Sequence, residues 1–564
     1  MKRRSFGVFG QGRARAVAAC TVMFVGSAIA ASAMLFACSG SQTSPFAQGN
    51  GNNGNNGNNG NGDGSVALLG DGGVPIFVVG DDSAAPITFT DGGCAGLQCQ
   101  ISDTCTNDGG TTIVGKVMDP AGANPLYNVL VYVPMFDPAA PSKIPAGYGI
   151  QPITGGVEFP SGVSCDSCSY LYTGNPIAVG TTGTDGTFTI TNAPSGTNIP
   201  VVVQVGKWRT HATVANVTSC GQADAGAINM PSSVPASDPI VSMPQIAISM
   251  GGADSLECLP YRMGINTSEF TSGASTSGHI HVFTGGGIGG IIPGTPPSSS
   301  ANMWNTLPSL EKYDVSLFSC EGSETSGANP QLLEQYVNAG GRAFLSHYHY
   351  AWLAGPLQGG GGYTANPDWG SNLASWNSND QGADQGAIIG AKISTTLNVG
   401  GGTFTKGVDL ESWLSHVGAL GTSGVASTEV AINSPSFDPN VTSSNTISQA
   451  WATYDTTSAT DDGFPTAYFS FNTPVGAVAP PDGGAPPYCG RVVYSGLHVG
   501  AAASDSTGGS QVPSSSNCNP GPGQLSPQEK VLEFMLFDLS ACVTPDKAPP
   551  GIPIPPPPPP PPPK

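Results

Sequence analysis

Four residues of chemically reactive types each come shortly after an apolar run of the sequence. They are Cys320, Glu321, His347 and His498. A cysteine becomes a nucleophile when a neighbouring base takes its proton, and histidine is well suited to that role near neutral pH. We therefore treat these four residues as a candidate catalytic set for hydrolysis. In the competing interpretation, Cys320 is a half-cystine or an inert buried thiol.

Paired histidines raise the alternative of a metal site. Residues 279–281 and 347–349 are both His-x-His, which puts two side chains on one face of an extended strand. The first pair begins a predicted strand and the second ends one, so in a parallel sheet the two pairs lie at opposite edges. We predict no metal and no cofactor. The alternative left open is a site of His347, His349 and His498 with Glu321 or Asp314.

The stretch 313–352 predicts the elements that position this set. Residues 315–318 are mainly apolar, as in a buried strand, and Asn329 with Pro330 suits the start of a helix. Apolar residues then recur at helical spacing until a Gly-Gly pair ends the helix, and 342–346 predict a second strand.

Two strands joined by a helix pair in parallel, with a right-handed crossover. Ligands of such sheets bind beyond the carboxyl ends of the strands. Cys320 and His347 follow those two ends, so we expect them at a common sheet edge.

Three stretches of this half carry a family resemblance. They are Tyr313-Asp314 ahead of an apolar strand, YVNAGG at 336–341 ahead of the strand that ends at His347, and GRVVY at 490–494 ahead of His498. Together they resemble the class I glutamine amidotransferase-like fold, and its ThuA-like branch most closely. The resemblance implies a flavodoxin-like α/β layered domain and, in true amidotransferases, a cysteine nucleophile with histidine and glutamate partners.

The catalytic order of that family is not preserved. Its nucleophile sits on a tight turn after the later strand, where this chain has Ser346-His347-Tyr348. Cys320 follows the earlier strand instead, where the family places an oxyanion loop. The resemblance therefore implies the fold more strongly than the activity.

The α/β pattern extends over residues 258–545. A capping box at Ser526–Glu529 begins the last helix. Residues 353–390, which lack periodicity, predict a surface insertion. The other predicted elements are strands at 279–283, 467–471 and 491–494 and a helix near 410–417.

Residues 110–250 predict a β-sandwich. TTIVGKVMDPAGANPLYNVLVYV at 111–133 has two alternating strands around a turn, and TDGTFTITNAPSG at 184–196 precedes another strand. These motifs resemble the carboxypeptidase regulatory-like domain, apart from an insertion at 134–179. The resemblance implies a seven-stranded prealbumin-like sandwich with a carbohydrate-binding-like fold, usually without catalytic residues. Residues 207–209, Lys-Trp-Arg, could form a small binding patch or belong to the core.

The chain has 13 cysteines, of which Cys20 lies in the leader and Cys38 at its end. The odd number beyond Cys38 leaves at least one thiol free or paired between chains, and Cys320 is our candidate. Cys165 and Cys168 have a Cys-x-x-Cys spacing, for which we favour a disulfide role over metal binding. Residues 65–109 predict a disulfide-pinned lead-in.

Residues 1–37 predict a lipoprotein signal peptide, with a basic start and an uncharged apolar run. The run ends in LFACS, which resembles a lipobox and implies lipidation of Cys38. The alternative is an uncleaved transmembrane helix, for which the run is long enough. Residues 38–64 predict a disordered Gly/Asn-rich tether, and 546–564 a Pro-rich tail with polyproline II structure.

The formal net charge is −20, and five of the 18 basic residues precede Cys38. Nucleic acid is therefore not an expected partner. We predict an exported protein attached to a membrane by its lipid, in the outer membrane, with polysaccharide or another envelope protein as partner. The first interpretation is a non-catalytic binding or structural surface protein. The alternatives are a hydrolase of carbohydrate or amide substrates, acting through Cys320 or a His347-centred site, and a carbohydrate-binding surface protein.

Overall fold

The computed structural model describes residues 68–69, 75–76 and most of 94–546. Gaps longer than three residues within the last range fall at 106–109, 145–148, 151–161, 166–171, 286–297, 358–365, 378–387, 456–462, 479–486 and 501–517. The predicted signal peptide, Cys38, the tether and nearly all of the Pro-rich tail lie outside the described residues. Within the described part, no helix combines the length and apolarity needed to cross a bilayer.

The first sheets lie in the part predicted as a sandwich, after a short antiparallel pair of strands, β1 Leu68–Leu69 and β2 Pro75–Ile76. The strands are β3 Thr112–Met118, β4 Leu130–Val133, β5 Ala178–Thr181, β6 Thr187–Ile190, β7 Gly196–Val205, β8 Trp208–Val217 and β9 Gln222–Asn229. They form a 3-stranded sheet, β6-β3-β9, and a 4-stranded sheet, β5-β4-β7-β8. Val131 and Val133 face the main core, whereas Leu130 and Tyr132 belong to a small cluster on the other side. This alternation is the period-two pattern of a strand.

The remaining strands are β10 Ile246–Met250, β11 Phe270–Ser272, β12 Ile280–Thr284, β13 Ser298–Ser299, β14 Val315–Phe318, β15 Arg342–Ser346, β16 Ser375–Trp376, β17 Ile388–Ile393, β18 Glu429–Asn433, β19 Pro439–Asn440, β20 Ser448–Tyr454, β21 Thr466–Thr473 and β22 Gly490–Ser495. All but β16 and β19 join an 11-stranded sheet of order β11-β12-β10-β14-β15-β22-β21-β20-β17-β18, with β13 beside β12.

This sheet is parallel on one side and antiparallel on the other. Strands β11, β12, β10, β14, β15 and β22 run parallel. From β22 onward the pairs β22-β21, β21-β20, β20-β17 and β17-β18 are antiparallel. The predicted parallel pairing of 315–318 with 342–346 is confirmed. The antiparallel half was not predicted, because strand type and length in the sequence do not specify pairing direction.

The α-helices of the described residues are α1 Cys258–Arg262, α2 Ala301–Trp304, α3 Leu307–Leu310, α4 Pro330–Asn338, α5 Ala351–Ala354, α6 Thr405–His416 and α7 Pro527–Ser540. The predicted N-terminal caps of α4 and α7 are both confirmed. The Asn329 side chain accepts a hydrogen bond from the Leu332 N–H at the start of α4. Ser526 and Glu529 form the expected capping box on α7.

Helices cover both faces of the large sheet. Val315 and Leu317 of β14 belong to the core that includes α1, α6 and α7, whereas Phe318 belongs to the core that includes α4 and α5. The layered α/β arrangement is therefore present in the parallel half of the sheet.

The sandwich packs directly against α6 and α7, and it shares one hydrophobic core with the large sheet. The Tyr127 ring stacks on Phe534 at a centroid distance of 5.7 Å, and the Trp413 indole N–H donates to the Pro125 carbonyl at 2.6 Å. Tyr127 also donates to the Asp409 carboxylate at 2.6 Å. The two parts therefore form one packed unit rather than two domains joined by a flexible linker.

Of the two alternatives for residues 207–209, Trp208 and Arg209 match the core, and the predicted surface insertion 353–390 is partly buried. The Trp208 side chain is buried and donates to Ser540 Oγ, while Arg209 Nε donates to the Ile240 carbonyl. Residues 207–209 are therefore not an exposed patch. In the predicted insertion 353–390, Trp369 and Leu373 are buried in the core beside α4.

Four disulfides are present in the described part of the chain: Cys94–Cys99, Cys105–Cys220, Cys165–Cys489 and Cys258–Cys518. The first two pin the lead-in, as expected, and the third confirms a disulfide role for Cys165. Cys320 is the free cysteine of that part, which agrees with its prediction as the odd thiol. Such pairing indicates an oxidising, non-cytoplasmic compartment.

Candidate functional site

Cys320, His347 and His498 follow three neighbouring strands, at one edge of the sheet. Strands β14, β15 and β22 are parallel and adjacent, so their carboxyl ends lie side by side. Cys320 follows β14 by two residues, His347 follows β15 directly, and His498 follows β22 by three. The edge predicted from the strand–helix–strand pattern is therefore the place where these side chains meet.

The three side chains are in direct contact. Cys320 Sγ lies 3.3 Å from His347 Nδ1, and His347 Nδ1 lies 2.8 Å from His498 Nε2. Their exposed fractions are 0% for Cys320, 1% for His347 and 4% for His498. We call these three residues the Cys–His–His cluster.

The turn that carries His347 has an unusual backbone. His347 has φ of 45°, in the left-handed region that residues with a β-carbon seldom occupy. This strained strand-to-helix turn aims the imidazole at Cys320 and His498. Such strain is often found at functional sites, where the surrounding structure holds it.

Close backbone packing holds the Cys320 loop. The Cys320 N–H donates to Ser346 Oγ at 2.9 Å, and its carbonyl accepts from the Ala253 N–H at 3.0 Å. A β-carbon on Gly251 would lie 2.0 Å from the Cys320 carbonyl oxygen, so only glycine fits there. The Gly322 N–H approaches Cys320 Sγ at 3.4 Å.

A buried carboxylate lies behind His347. Asp438 Oδ1 is 3.9 Å from His347 Nε2, on the side of the ring opposite Cys320. The Tyr494 hydroxyl lies 2.9 Å from Asp438 Oδ2 and 2.8 Å from the His347 carbonyl oxygen. Burial and the neighbouring Asp438 hold the pKa of Tyr494 well above its usual range, so the phenol remains a neutral donor. Tyr494 thus holds the backbone of His347, and Asp438 lies near the ring at a distance longer than a hydrogen bond.

Other candidates from the sequence lie elsewhere. The Glu321 carboxylate points toward Gly285, with Oε1 3.1 Å from the position of a β-carbon there. Asp314 pairs with Lys207 at 2.5 Å, and His279 pairs with Glu269 at 2.6 Å.

The second histidine of each His-x-His pair packs against an aromatic side chain and does not point toward the other pair. His349 lies against Phe318 at a ring distance of 5.7 Å, and burial lowers its pKa to about 3, with His347 adding to the effect. His281 contacts the Tyr313 hydroxyl at 2.9 Å. As expected, the two pairs do not form a four-histidine site.

Two buried acids, Asp254 and Glu257, lie near each other, and Asp254 contacts the loop that carries His498. Asp254 accepts from the N–H groups of Ser255, Val499 and Gly500 at 2.9, 3.1 and 2.7 Å, and so anchors the loop that carries His498. Burial raises the pKa of Asp254 to about 6 despite these donors. Burial likewise raises the pKa of Glu257 to about 8, and the nearby Asp254 adds to that rise while Arg262 opposes it.

Glu257 gives a pH-dependent contribution to stability. In the unfolded chain its carboxyl ionises above the ordinary value of 4.5, but in the folded protein it stays protonated until about pH 8. The folded state thus binds the extra proton, and the free energy of unfolding falls as pH rises between these values. We expect Glu257→Gln to remove this fall. The free energy of unfolding of the variant, relative to that of the wild type, should therefore be about 2–4 kcal/mol higher at pH 8 than at pH 5.

Urea denaturation at the two pH values measures this difference. Glu411 is only half-buried, so it serves as the control, and we expect Glu411→Gln to show the pH dependence of the wild type. Parallel pH profiles for the wild type and Glu257→Gln would contradict the assignment of the buried proton to Glu257.

The Cys–His–His cluster can support two kinds of chemistry. In one, His347 takes the proton of the Cys320 thiol, which then attacks a carbonyl carbon, and Asp438 orients the imidazole. In the other, the three side chains would hold a metal ion, which would supply the activation of water for hydrolysis. Both lead to hydrolysis, and both need the groups that the sheet edge brings together.

Sequence reasoning missed Asp438 and Asp254. Asp438 precedes a proline in an irregular segment between β18 and β19, where an Asp-Pro pair is an ordinary turn signal. Asp254 lies in a loop after β10, a strand that was not predicted at all. Because both reach the cluster through long-range packing, no local spacing marks them.

A small cavity lies between the sandwich and helices α6 and α7, and no residue of the Cys–His–His cluster lines it. It is lined by Leu126, Tyr127, Asn128, Val205, Lys406, Trp413, Phe534, Phe537, Asp538 and Ala541. Lys406 and Asp538 form an ion pair at 2.8 Å within this wall. Because its two charged groups are paired with each other, we do not assign the function to this cavity.

Comparisons with known proteins give no family. No family model matches the chain, and no curated protein matches it. Among solved structures, a 9R-lipoxygenase from Cyanothece PCC8801 aligns over 23% of this chain and 19% of its own, with 15% identity and a TM-score of 0.11. A likeness of that size carries no argument about fold or activity. The two family resemblances of the sequence therefore remain predictions, and the site must be interpreted from its own geometry.

Proposed function

We propose that this protein is a cell-envelope hydrolase whose centre is the Cys–His–His cluster. The observation that carries the proposal is the convergence of Cys320, His347 and His498 within hydrogen-bonding distance at the carboxyl edge of three parallel strands. That edge is where sheets of this kind bind ligands. The strained backbone of His347 and the carboxylate of Asp438 behind its ring support an active rather than an inert arrangement.

The substrate class that we propose is an amide or carbohydrate of the envelope. A nucleophile with an adjacent base serves acyl transfer, which favours an amide. The acidic surface of the chain disfavours polyanionic substrates, because like charges repel.

Placement in the envelope is part of the same proposal. The disulfides support an oxidising compartment. The LFACS stretch supports lipidation at Cys38, and the Gly/Asn-rich tether after it supports a folded unit held away from the membrane. The outer membrane remains the proposed destination.

A second candidate function is a non-catalytic binding or structural role. The burial of the cluster favours it, since Cys320 and His347 are at most 1% exposed. In that case the three side chains would stabilise the sheet edge, and the protein would act through its surface.

A turnover assay separates the two candidates. The full chain, extracted in detergent, is incubated with peptidoglycan, neutral polysaccharides, aryl amides and aryl esters, and released products are measured against a heat-unfolded sample. The hydrolase proposal expects turnover of at least one amide, ester or glycan class. If every class gives only the rate of the unfolded sample, the non-catalytic role replaces it.

A further inference from the structure

We propose that Cys320 Sγ, His347 Nδ1 and His498 Nε2 are three ligands of one zinc-class divalent ion. This inference rests on the proposed function and deepens it, because it names the cofactor of the same centre. The sequence predicted no metal, since its histidine pairs could not converge. The structure brings in a different set, with a cysteine from the neighbouring strand end.

The first argument is the spacing of the ligand atoms. All three lie within 4.8 Å of one another, with 3.3 Å between Sγ and Nδ1 and 2.8 Å between the two nitrogens. Zinc bonds of about 2.3 Å to sulfur and 2.0–2.1 Å to nitrogen give ligand separations of about 3.3–3.6 Å in a tetrahedron. The two nitrogens would open by about 0.5 Å around such an ion, and Sγ and His498 Nε2, which lie within 4.8 Å of each other, would close to about 3.6 Å.

The second argument is the hydrogen-bonding capacity of His347. Its Nδ1 has either one N–H or one in-plane lone pair, so it makes one good hydrogen bond in the ring plane. Both Cys320 Sγ and His498 Nε2 approach this single atom. One shared proton cannot serve both contacts, whereas one cation satisfies all three atoms together.

The third argument is the shell around the ligands. Metal-binding histidines usually direct their other ring nitrogen at a carboxylate or carbonyl, and Asp438 Oδ1 lies 3.9 Å from His347 Nε2, at ion-pair rather than hydrogen-bond distance. Gln528 Nε2 donates to the carbonyls of His498 and Val499 at 2.7 and 2.8 Å, which holds the His498 turn. The Gly322 N–H near Cys320 Sγ suits a metal-bound thiolate.

The ligand types select the ion. One thiolate and two imidazoles suit zinc, cobalt or a related transition metal, and they do not suit magnesium or calcium, which prefer oxygen. Three protein ligands leave a fourth position for water, the arrangement of catalytic rather than structural zinc sites. Water bound to such an ion loses a proton near neutral pH, which supplies the hydroxide for hydrolysis.

Asp438 is expected to tune the affinity of this site as a positioning residue. Asp438→Asn removes the negative charge beside His347, and we expect it to weaken Co²⁺ binding about 10- to 100-fold. Asp368→Asn, an exposed aspartate, is the matched control and should leave the affinity unchanged. Asp438→Glu should restore part of the loss, which a general loss of packing would not do. Equal affinities for Asp438→Asn and the wild type would contradict the role of Asp438.

Cobalt titration tests the site directly. Full chain treated with chelator is titrated with Co²⁺, and absorbance is followed for the sulfur-to-cobalt charge-transfer band and the tetrahedral cobalt bands. We expect one equivalent to bind, Zn²⁺ to displace it, Cys320→Ser to lose the sulfur band, and His498→Gln to weaken binding more than about 100-fold, beyond the effect of outer-shell changes. His281→Gln, a histidine outside the cluster, is the control, and circular dichroism checks the fold of each variant.

The outcomes separate this inference from the hydrolase proposal. Bound metal without turnover keeps the site and overturns the hydrolase. Turnover without stoichiometric metal, and unchanged by chelator, overturns the metal site and leaves the thiol mechanism. A sulfur band that persists in Cys320→Ser also overturns the assignment.

Discussion

Arg262→Met is expected to destabilise the folded unit by about 3–5 kcal/mol, because it strands a buried carboxylate. Arg262 Nη1 pairs with Glu529 Oε1, and both side chains are 1% exposed. The pair joins α1 to the first turn of α7, beside the loop of Asp254 and Glu257. Methionine fills similar volume, so the main effect is the loss of the counter-charge rather than a cavity. The midpoint of urea denaturation, followed by tryptophan fluorescence, gives the change.

Two further variants isolate the charge effect. Glu529→Gln keeps the capping box, since glutamine also accepts and donates there, and it removes the stranded charge. The double variant, with Arg262→Met and Glu529→Gln, should therefore be more stable than Arg262→Met alone. Lys392→Met is the exposed control: its pair with Glu429 at 3.7 Å has a lysine that is 59% exposed, so the expected cost is below about 1 kcal/mol. A cost for Arg262→Met as small as that of Lys392→Met would contradict this account.

The local elements of the site could be predicted because each leaves its own pattern. Asn329 and Pro330 begin α4, the Gly-Gly pair at 340–341 ends it, and the flanking apolar runs are β14 and β15. Parallel pairing then follows from the length of the connection, and it places Cys320 beside His347. The common edge of these two residues was thus predictable from spacing, whereas their 3.3 Å contact was not.

The contacts that the sequence did not predict come from long-range packing. The position of Asp438 beside His347 depends on the antiparallel half of the sheet, whose strand order departs from chain order. The docking of the sandwich on α6 and α7 depends on single contacts such as Tyr127 with Phe534. The pairing of Cys165 with Cys489 joins residues 324 positions apart, and no local pattern encodes it.

The burial of the cluster has a physical consequence for either mechanism. Away from bulk water, charges interact more strongly, so a thiolate or a metal-bound hydroxide would be held by a few fixed groups. The same burial makes unpaired polar groups costly. A cluster of one thiol and two imidazoles therefore has an energetic cost at this edge that purely apolar side chains would avoid.

His347→Gly is expected to lower kcat/KM for the substrate identified in the turnover assay by about 10²- to 10⁴-fold, the range contributed by a positioned acid–base group. Glycine accepts the left-handed backbone of position 347, where φ is 45°, so the turn should persist without the imidazole. The variant leaves a space beside Cys320 and His498 in which free imidazole can sit. Added imidazole should therefore restore part of the rate, an effect that a misfolded variant would not show.

His281→Gln is the matched control for this experiment. His281 is also a buried histidine of the same sheet, but it contacts Tyr313 and lies outside the cluster. We expect it to keep the wild-type rate, and thermal unfolding should confirm that both variants remain folded. A His347→Gly protein that retains wild-type turnover would remove His347 from the reaction and, with it, the reason for placing the active centre at this edge.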